Sequence, residues 1–141
     1  MRDGVQIALP TLGPVAVDKL REMYSSFAAL ADAGTNLIVD DVLWHPAARE
    51  LSVGTFASRD AWLIGVLCPI EVAVERERRR TDRAIGGAAL FAEPTHARCV
   101  YDIEVDTGAL SPVEAAREVA DRLGDGATPT AFRSMLSPRV P

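Results

Sequence analysis

Cysteine, lysine and long apolar runs are all scarce in this chain of 141 residues. The two cysteines, Cys68 and Cys99, lack the number and spacing of a disulfide framework or a zinc site, so we expect buried thiols. Lys19 is the only lysine, and 20 acidic residues outnumber 15 basic ones, which argues against a nucleic-acid partner. Because no apolar run could span a bilayer or form a signal peptide, we expect a cytoplasmic protein without a membrane partner.

The remaining composition is that of an ordinary globular protein, with 48% hydrophobic and 25% charged residues. The length predicts one domain over residues 1–141, without repeats or a linker. Only the tail from about residue 124 to residue 141 is rich in Gly, Pro, Thr and Ser, and it is predicted to be irregular.

Helical and extended patterns alternate along the chain. Apolar residues at three- and four-residue steps, or clear start signals, predict helices in 14–33, within 45–54, from Pro69 onward and from Ser111 onward. The last of these has a capping box formed by Ser111 and Glu114. Apolar runs or alternating residues predict strands in "NLIVDDVL" (36–43), "AWLIGVLC" (61–68) and "YDIEVDT" (101–107). This alternation predicts an α/β layer fold with a mainly parallel sheet.

Two adjacent carboxylates, Asp40 and Asp41, end the first apolar run. Strand-terminal aspartates of this kind hold magnesium beside a nucleotide in phosphate-loop enzymes, so both are candidate catalytic residues and Asp41 a candidate metal ligand. The alternative is structural, with Asp41 capping the next turn and Asp40 making a local hydrogen bond.

Arginines are concentrated in "ERERRRTDR", where Arg76, Arg80 and Arg83 are spaced to share one helical face. Grouped guanidinium groups suit phosphate oxygens, which makes these three candidates for nucleotide binding. The alternative is a solvated helix on which Glu75 and Glu77 pair with the arginines.

One histidine and two tryptophans are further candidates for a site. His96 could serve as an acid or base, although a lone histidine near a helix end is more often structural. Trp44 and Trp62 are predicted to lie in the core or in a pocket wall because their indoles are large apolar surfaces.

Three segments together resemble the chloramphenicol phosphotransferase-like family of phosphate-loop (P-loop) small-molecule kinases. They are "LIVDDVLW", "GVLCPIEVAVERERRRTDR" and "VYDIEVDTGALSPVEAAREV", and the resemblance runs from about Gly4 to Leu123. It implies ATP and Mg²⁺ as cofactors, a small-molecule substrate and a three-layer α/β sandwich. It also implies that Asp40 and Asp41 lie beside the nucleotide, that Arg76, Arg80 and Arg83 belong to a lid over its phosphates, and that His96 matches a histidine of the relatives. Pro94 and Arg98 depart from the pattern.

The chain also departs from this family at its front. The family's phosphate-binding loop, Gly-x-x-x-x-Gly-Lys-Ser/Thr, occurs nowhere in the sequence, and the segment carrying the catalytic base has no counterpart. We therefore expect a P-loop kinase fold, N-terminally truncated and lacking its central first strand. That strand would lie between "LIVDDV" and "WLIGVL", so we expect these two to pair directly, or "GVQIAL" (4–9) or a second subunit in a homodimer to complete the sheet.

Three functions are compatible with these features. The first is a phosphotransferase-family protein of small-molecule or antibiotic metabolism whose own kinase activity is impaired or lost. The second is an enzyme of another class that uses the remaining pocket, which predicts a closed, largely apolar pocket and at least one carboxylate or histidine with a shifted pKa. The third is a non-catalytic binding or assembly module, which predicts an exposed apolar patch where the missing strand would pack.

Overall fold

Six helices and two strands form in residues 9–82 and 84–136, the part of the chain that this computed structural model describes. In chain order they are α1 (Pro14–Asp32), α2 (Pro46–Phe56), β1 (Ile64–Leu67), α3 (Ile70–Arg78), α4 (Gly87–His96), β2 (Ile103–Asp106), α5 (Pro112–Gly124) and α6 (Ala131–Leu136).

Local signals in the sequence explain where several helices begin. Proline occupies the first turn of α1, α2 and α5, where its missing N–H leaves no hydrogen bond unmade. At the start of α5, the Ser111 hydroxyl accepts a hydrogen bond from the Glu114 N–H at 3.3 Å. The Glu114 carboxylate in turn accepts one from the Ser111 N–H at 2.8 Å. The predicted capping box is therefore confirmed.

The sheet consists of β1 and β2, which pair in parallel with Ile64 opposite Ile103. Burial alternates along β2, since Ile103 and Val105 are buried while Glu104 and Asp106 are exposed, as the period of two predicted. Helix α5 packs against β2 through Ala115. A mixed, helix-rich α/β protein with a small parallel sheet is therefore observed, whereas the three-layer arrangement stays a prediction.

The strand predicted for residues 36–43 does not form. Residues 35–42 are irregular, and Ile38 is fully exposed. A strand needs a partner for its backbone N–H and C=O groups, and within the described residues β1 pairs only with β2. The predicted direct pairing of "LIVDDV" with "WLIGVL" is therefore wrong. The segment "GVQIAL" lies outside the described residues except for Leu9, and completion of the sheet by a second subunit stays a prediction.

A short helix, α6, occupies part of the tail that was predicted to be irregular. Its Phe132 packs with Val53 and Ala57 in one of two small apolar clusters. The Asp102 carboxylate accepts hydrogen bonds from the N–H groups of Thr130 at 2.7 Å and Ala131 at 2.9 Å. These contacts satisfy backbone donors at the helix start, which explains why a segment without strong helical signals folds here.

Two expectations from composition can be compared with the structure. Cys68 and Cys99 are free thiols, but they are half-buried rather than buried. In the part of the chain that is described, no helix combines the length and apolar character needed to cross a bilayer.

Candidate functional site

Asp41 is anchored by a buried tyrosine. Its Oδ2 accepts a hydrogen bond from the hydroxyl of Tyr24 on α1, and its Oδ1 accepts one from the Val42 N–H at 2.7 Å. Tyr24 is only 1% exposed. Burial raises the pKa of the Tyr24 phenol, and the hydrogen bond to Asp41 and its negative charge raise it further. The phenol therefore remains a proton donor at neutral pH and holds the Asp41 side chain in one orientation.

The hydrogen bond between Asp41 and the Val42 N–H is local, like the turn cap that was the structural alternative for Asp41. The hydrogen bond to Tyr24, in contrast, joins residues 17 positions apart. Asp40 and Asp41 are both exposed, but Asp41 lines the cavity described below and Asp40 is not among its lining residues. The two carboxylates therefore have different surroundings, and we take Asp41 as the better placed of the two for contact with a ligand.

A cavity of about 340 Å³ opens beside Asp41, between α1 and the segment that leads into α2. This volume is at the lower end of the range for small-molecule pockets, roughly 300–1,000 Å³. Its polar side chains are Asp41, Lys19 and His45, and its wall is otherwise apolar, formed by Leu12, Ala16, Leu20, Met23, Val42, Trp44 and Ala48. Trp44 is therefore a pocket-wall residue, while Trp62 packs in the cluster around Ile103.

His45 and Lys19 are cavity residues that the sequence analysis missed as site candidates. His45 caps α2, because its Nδ1 accepts the Ala47 N–H at 3.2 Å, and its ring contacts Trp44 edge to face. A nitrogen that accepts carries no proton, so the neutral ring carries its proton on Nε2. Lys19 pairs with Glu22 at 2.7 Å. Two features of the sequence could have drawn attention to these residues: His45 forms a His-Pro pair just before a helix, and Lys19 is the single lysine of the chain.

Of the predicted nucleotide-binding arginines, the two that the structure describes, Arg76 and Arg80, do not lie on one helix. Arg76 lies on α3, which ends at Arg78, so Arg80 is beyond the helix, and Arg83 lies outside the described residues. Like charges at Arg76 and Arg80, four residues apart, disfavour continuation of the helix. Arg76 donates to the Thr107 carbonyl at 2.6 Å, which ties α3 to the end of β2.

The glutamates of this segment have separate roles. Glu75 pairs with Arg79 at 3.0 Å, as the structural alternative predicted. Glu77 instead accepts the N–H groups of Gly86 at 2.8 Å and Ala88 at 2.9 Å, at the start of α4. These hydrogen bonds lower the pKa of Glu77 because they stabilise its charged form.

His96 lies at the end of α4, where its Nδ1 is 2.6 Å from the Tyr101 hydroxyl. Burial raises the pKa of the Tyr101 phenol, with the neighbouring Cys99 adding to the effect. The Tyr101 ring also lies directly over Gly65 of β1. Among the described residues, neither His96 nor Arg76 nor Arg80 lines the cavity beside Asp41, so the predicted site residues do not form one cluster.

The side chains that the structure describes do not form a complete site for ATP and Mg²⁺. Within residues 9–82 and 84–136, no group of three or more His, Cys, Asp or Glu side chains could hold a metal ion. Asp41 offers carboxylate oxygens, which suit Mg²⁺, but Arg76 is bound to Thr107 rather than free for phosphate. The loop that binds phosphates in P-loop kinases does not occur in the sequence. We therefore derive no catalytic step through the nucleotide.

Comparison with known proteins agrees with the resemblance noted in the sequence. The family model described as "Chloramphenicol phosphotransferase-like protein" matches residues 4–124. Two Mycobacterium tuberculosis proteins, from strains CDC 1551 and H37Rv, are each 31% identical over 133 residues. Both carry the name "Putative O-phosphotransferase". The match covers 94% of this chain but 59% of each relative, so the chain spans less than two thirds of their length.

Proposed function

This chain belongs to the chloramphenicol phosphotransferase-like family, and from that membership we propose that it takes part in phosphorylation of a hydroxyl group on a small molecule, with ATP as the phosphate donor. Its 141 residues bind the acceptor molecule, and they do not transfer phosphate by themselves. The observation that carries this proposal is the position of Asp41 on a largely apolar cavity of small-molecule size.

The proposed binding of the acceptor molecule is supported by the chemistry around Asp41. A carboxylate can accept the proton of a ligand hydroxyl, and each of its oxygens has a lone pair beyond the one used by Tyr24 or Val42. Because these two contacts already orient the carboxylate, little side-chain entropy remains to be lost when a ligand binds. The apolar wall suits the carbon skeleton of the ligand.

The loss of transfer activity follows from the missing phosphate contacts. Phosphoryl transfer depends on positioning and charge stabilisation, supplied in P-loop kinases by backbone amides of the loop, its lysine and magnesium. The single lysine of this chain lies in α1 and pairs with Glu22. The Arg76 guanidinium is hydrogen-bonded to Thr107. Asp40 and His96 stay predictions as catalytic residues.

Calorimetric titration of Mg²⁺-ATP into the folded 141-residue chain tests the proposed loss. We expect no saturable heat for the wild type. Asp41→Asn tests the predicted metal ligand, and Asp40→Asn is its matched comparison because the neighbouring Asp40 does not line the cavity. Saturable binding that Asp41→Asn abolishes and Asp40→Asn retains would contradict the proposal and assign a metal-nucleotide site to Asp41.

A second candidate function, an assembly module, is supported by apolar side chains that lie exposed on the irregular segment 35–42 and on β1. Ile38 is 101% and Val66 60% exposed. This function predicts a dimer in light scattering that Ile38→Lys disrupts and Val15→Lys, on exposed α1 surface, does not. A monomeric wild type at high micromolar concentration would exclude it. An enzyme of another class that uses the same pocket stays a prediction.

A further inference from the structure

A second cavity lies between α2, the turn after α4 and the end of α6, and its volume of about 620 Å³ is within the usual range for small-molecule pockets. We propose that this α2–α6 cavity binds a small amphipathic carboxylate, whose charged group is held by Arg49 and Arg98 and whose carbon chain packs on an apolar wall. Among the described residues it shares no lining side chain with the cavity beside Asp41, so the inference goes beyond the proposed function.

Gly54 leaves open space on the wall of the α2–α6 cavity. It lies within α2, its φ is not in the left-handed region, and an added Cβ would meet no described heavy atom within 4 Å. Neither the backbone nor the packing of the described chain requires glycine here, although glycine weakens a helix interior relative to alanine. A ligand that lies close to the backbone of α2 explains the missing side chain.

Arg98 departs from local preference in the opposite direction. It is the second residue after α4 ends at His96, and its φ of 61° lies in the left-handed region. Glycine is the usual residue at such a position because it adopts this conformation without a steric cost. The chain thus has arginine where glycine would be less strained, on the same cavity where it has glycine without a local need for it. Because strain of this kind concentrates at binding sites, it indicates a use for the Arg98 guanidinium.

The charges of the cavity suit one carboxylate. Arg49 is half-buried, and its Nη1 donates to the Leu43 carbonyl at 3.1 Å, which holds the guanidinium while its other nitrogens have no acceptor among the described residues. In residues 9–82 and 84–136, neither Arg49 nor Arg98 forms an ion pair. With Glu50, which lines the same cavity, the two arginines give one net positive charge, and a singly charged carboxylate neutralises it.

Contacts around Tyr101 place Arg49 near the turn that carries Arg98. Burial raises the pKa of the Tyr101 phenol, and the positive charge of Arg49 partly opposes this rise, so the guanidinium lies close to the phenol. The phenol oxygen is in turn 2.6 Å from Nδ1 of His96, two residues before Arg98. Arg49, from α2, and Arg98 therefore lie at one turn, where two guanidinium groups can share a carboxylate through charge-assisted hydrogen bonds.

The rest of the wall suits a carbon chain. Val53 of α2 and the α6 residues Met135 and Leu136 line the cavity, and Leu136 is 58% exposed. A ligand chain that covers these side chains removes apolar surface from water, and the flexible Met135 adapts to its shape. The cavity therefore combines a positively charged end with an apolar wall, which is the complement of an amphipathic carboxylate.

Octanoate and octan-1-ol are matched probes, because they share one straight carbon skeleton and differ in the head group. We would titrate each into the full chain, labelled with ¹³C in its methionine methyl groups, and follow these signals by NMR near neutral pH. Met135 lines the α2–α6 cavity, whereas Met23 lines the cavity beside Asp41, so Met23 is an internal control. We expect octanoate to shift the Met135 signal saturably, with a dissociation constant at least about tenfold lower than that of octan-1-ol. Octyl phosphate, whose second negative charge the cavity does not balance, should bind more weakly than octanoate.

Three variants locate the probe and test Arg98. Gly54→Leu fills the cavity from α2 and is expected to abolish the Met135 shift, while Gly124→Leu, at another helical glycine with open space around its Cβ, is expected to retain it. Arg98→Gly removes the guanidinium and the unfavourable φ together. It should raise the urea midpoint, weaken octanoate binding by about tenfold and leave octan-1-ol binding unchanged, whereas loss of a merely structural arginine would not weaken octanoate selectively.

Several results would overturn the inference. They are no saturable shift of Met135, an equal shift of Met23, equal affinities for octanoate and octan-1-ol, tighter binding of octyl phosphate than of octanoate, an octanoate shift that survives Gly54→Leu, or octanoate binding that Arg98→Gly leaves unchanged. The titration contains no nucleotide and reports on a different cavity, so its failure and the failure of the proposed function are separate. Mg²⁺-ATP binding would refute the proposed loss of transfer activity without affecting this test.

Discussion

Replacement of Gly65 by alanine tests how β1 positions the predicted site residue His96. A Cβ atom at this buried position would lie 2.7 Å from Cδ2, 2.8 Å from Cγ and 2.9 Å from Cε2 of Tyr101. Carbon atoms normally approach to about 3.5–4.0 Å, so the ring must move by roughly 0.8 Å or more. Cγ lies at the base of the ring, and the Tyr101 hydroxyl is tied to His96 at 2.6 Å, so the displacement cannot be confined to a flexible end.

Overpacking of this kind costs about 1–3 kcal/mol of unfolding free energy. Gly54 offers the matched control, because it lies within α2 and an added Cβ there meets no heavy atom within 4 Å. Gly54→Ala should raise the unfolding free energy by about 0.5–1 kcal/mol, since alanine loses less backbone entropy in a helix. Opposite signs are therefore expected for the same chemical change at two positions.

Urea unfolding followed by circular dichroism measures both variants against the wild type. The imidazole NMR signals of His96 add a local readout, because a displaced Tyr101 ring changes the hydrogen bond at its Nδ1. If Gly65→Ala proved as stable as Gly54→Ala, with unchanged imidazole NMR signals of His96, the close packing of Tyr101 on β1 would be wrong.

Three other perturbations test the contacts that hold the fold. Asp102→Ala removes the acceptor of three backbone N–H groups, which belong to Leu63, to Thr130 just before α6 and to Ala131 at its start. The unfolding free energy should fall by about 2–4 kcal/mol, whereas Asp121→Ala on the exposed surface of α5 should change the urea midpoint little. The pKa of Tyr24 is raised in the folded state, so above pH 10 the phenol loses its proton first in the unfolded state. The unfolding free energy should therefore fall as pH rises above 10, and it should fall less steeply in Tyr24→Phe. Equal alkaline slopes for the two proteins would refute this. Because the pKa of Glu77 is lowered in the folded state, its charged carboxylate stabilises the fold above pH 4.5, and this stabilisation is lost on acidification. Glu77→Gln should therefore increase hydrogen exchange at the start of α4 and flatten the acid unfolding transition. Unchanged exchange in α4 would argue against a role of Glu77 in capping this helix.

Local patterns in the sequence were sufficient to predict a helix or strand whose formation depends mainly on its own residues. The capping box at Ser111 starts α5, and the alternation around Ile103 specifies which face of β2 is buried. The family could also be recognised, because its motifs are linear segments. The same reasoning overestimated the length of α3, which ends at Arg78. Its run of arginines disfavours the longer helix that their spacing suggested.

The tertiary structure decided what depends on residues far apart in sequence. An apolar run such as residues 36–43 becomes a strand only when another strand satisfies its backbone, and within the described chain it has no such partner. Helix α6 depends on backbone hydrogen bonds to Asp102, 29 positions before Ala131. The Asp41 cavity requires α1 to meet the segment before α2, so no local pattern could place Tyr24 or Lys19 close to Asp41. By itself the sequence determined the family, the class of fold and most helix starts, because those depend on neighbouring residues; the site required the packing of distant ones.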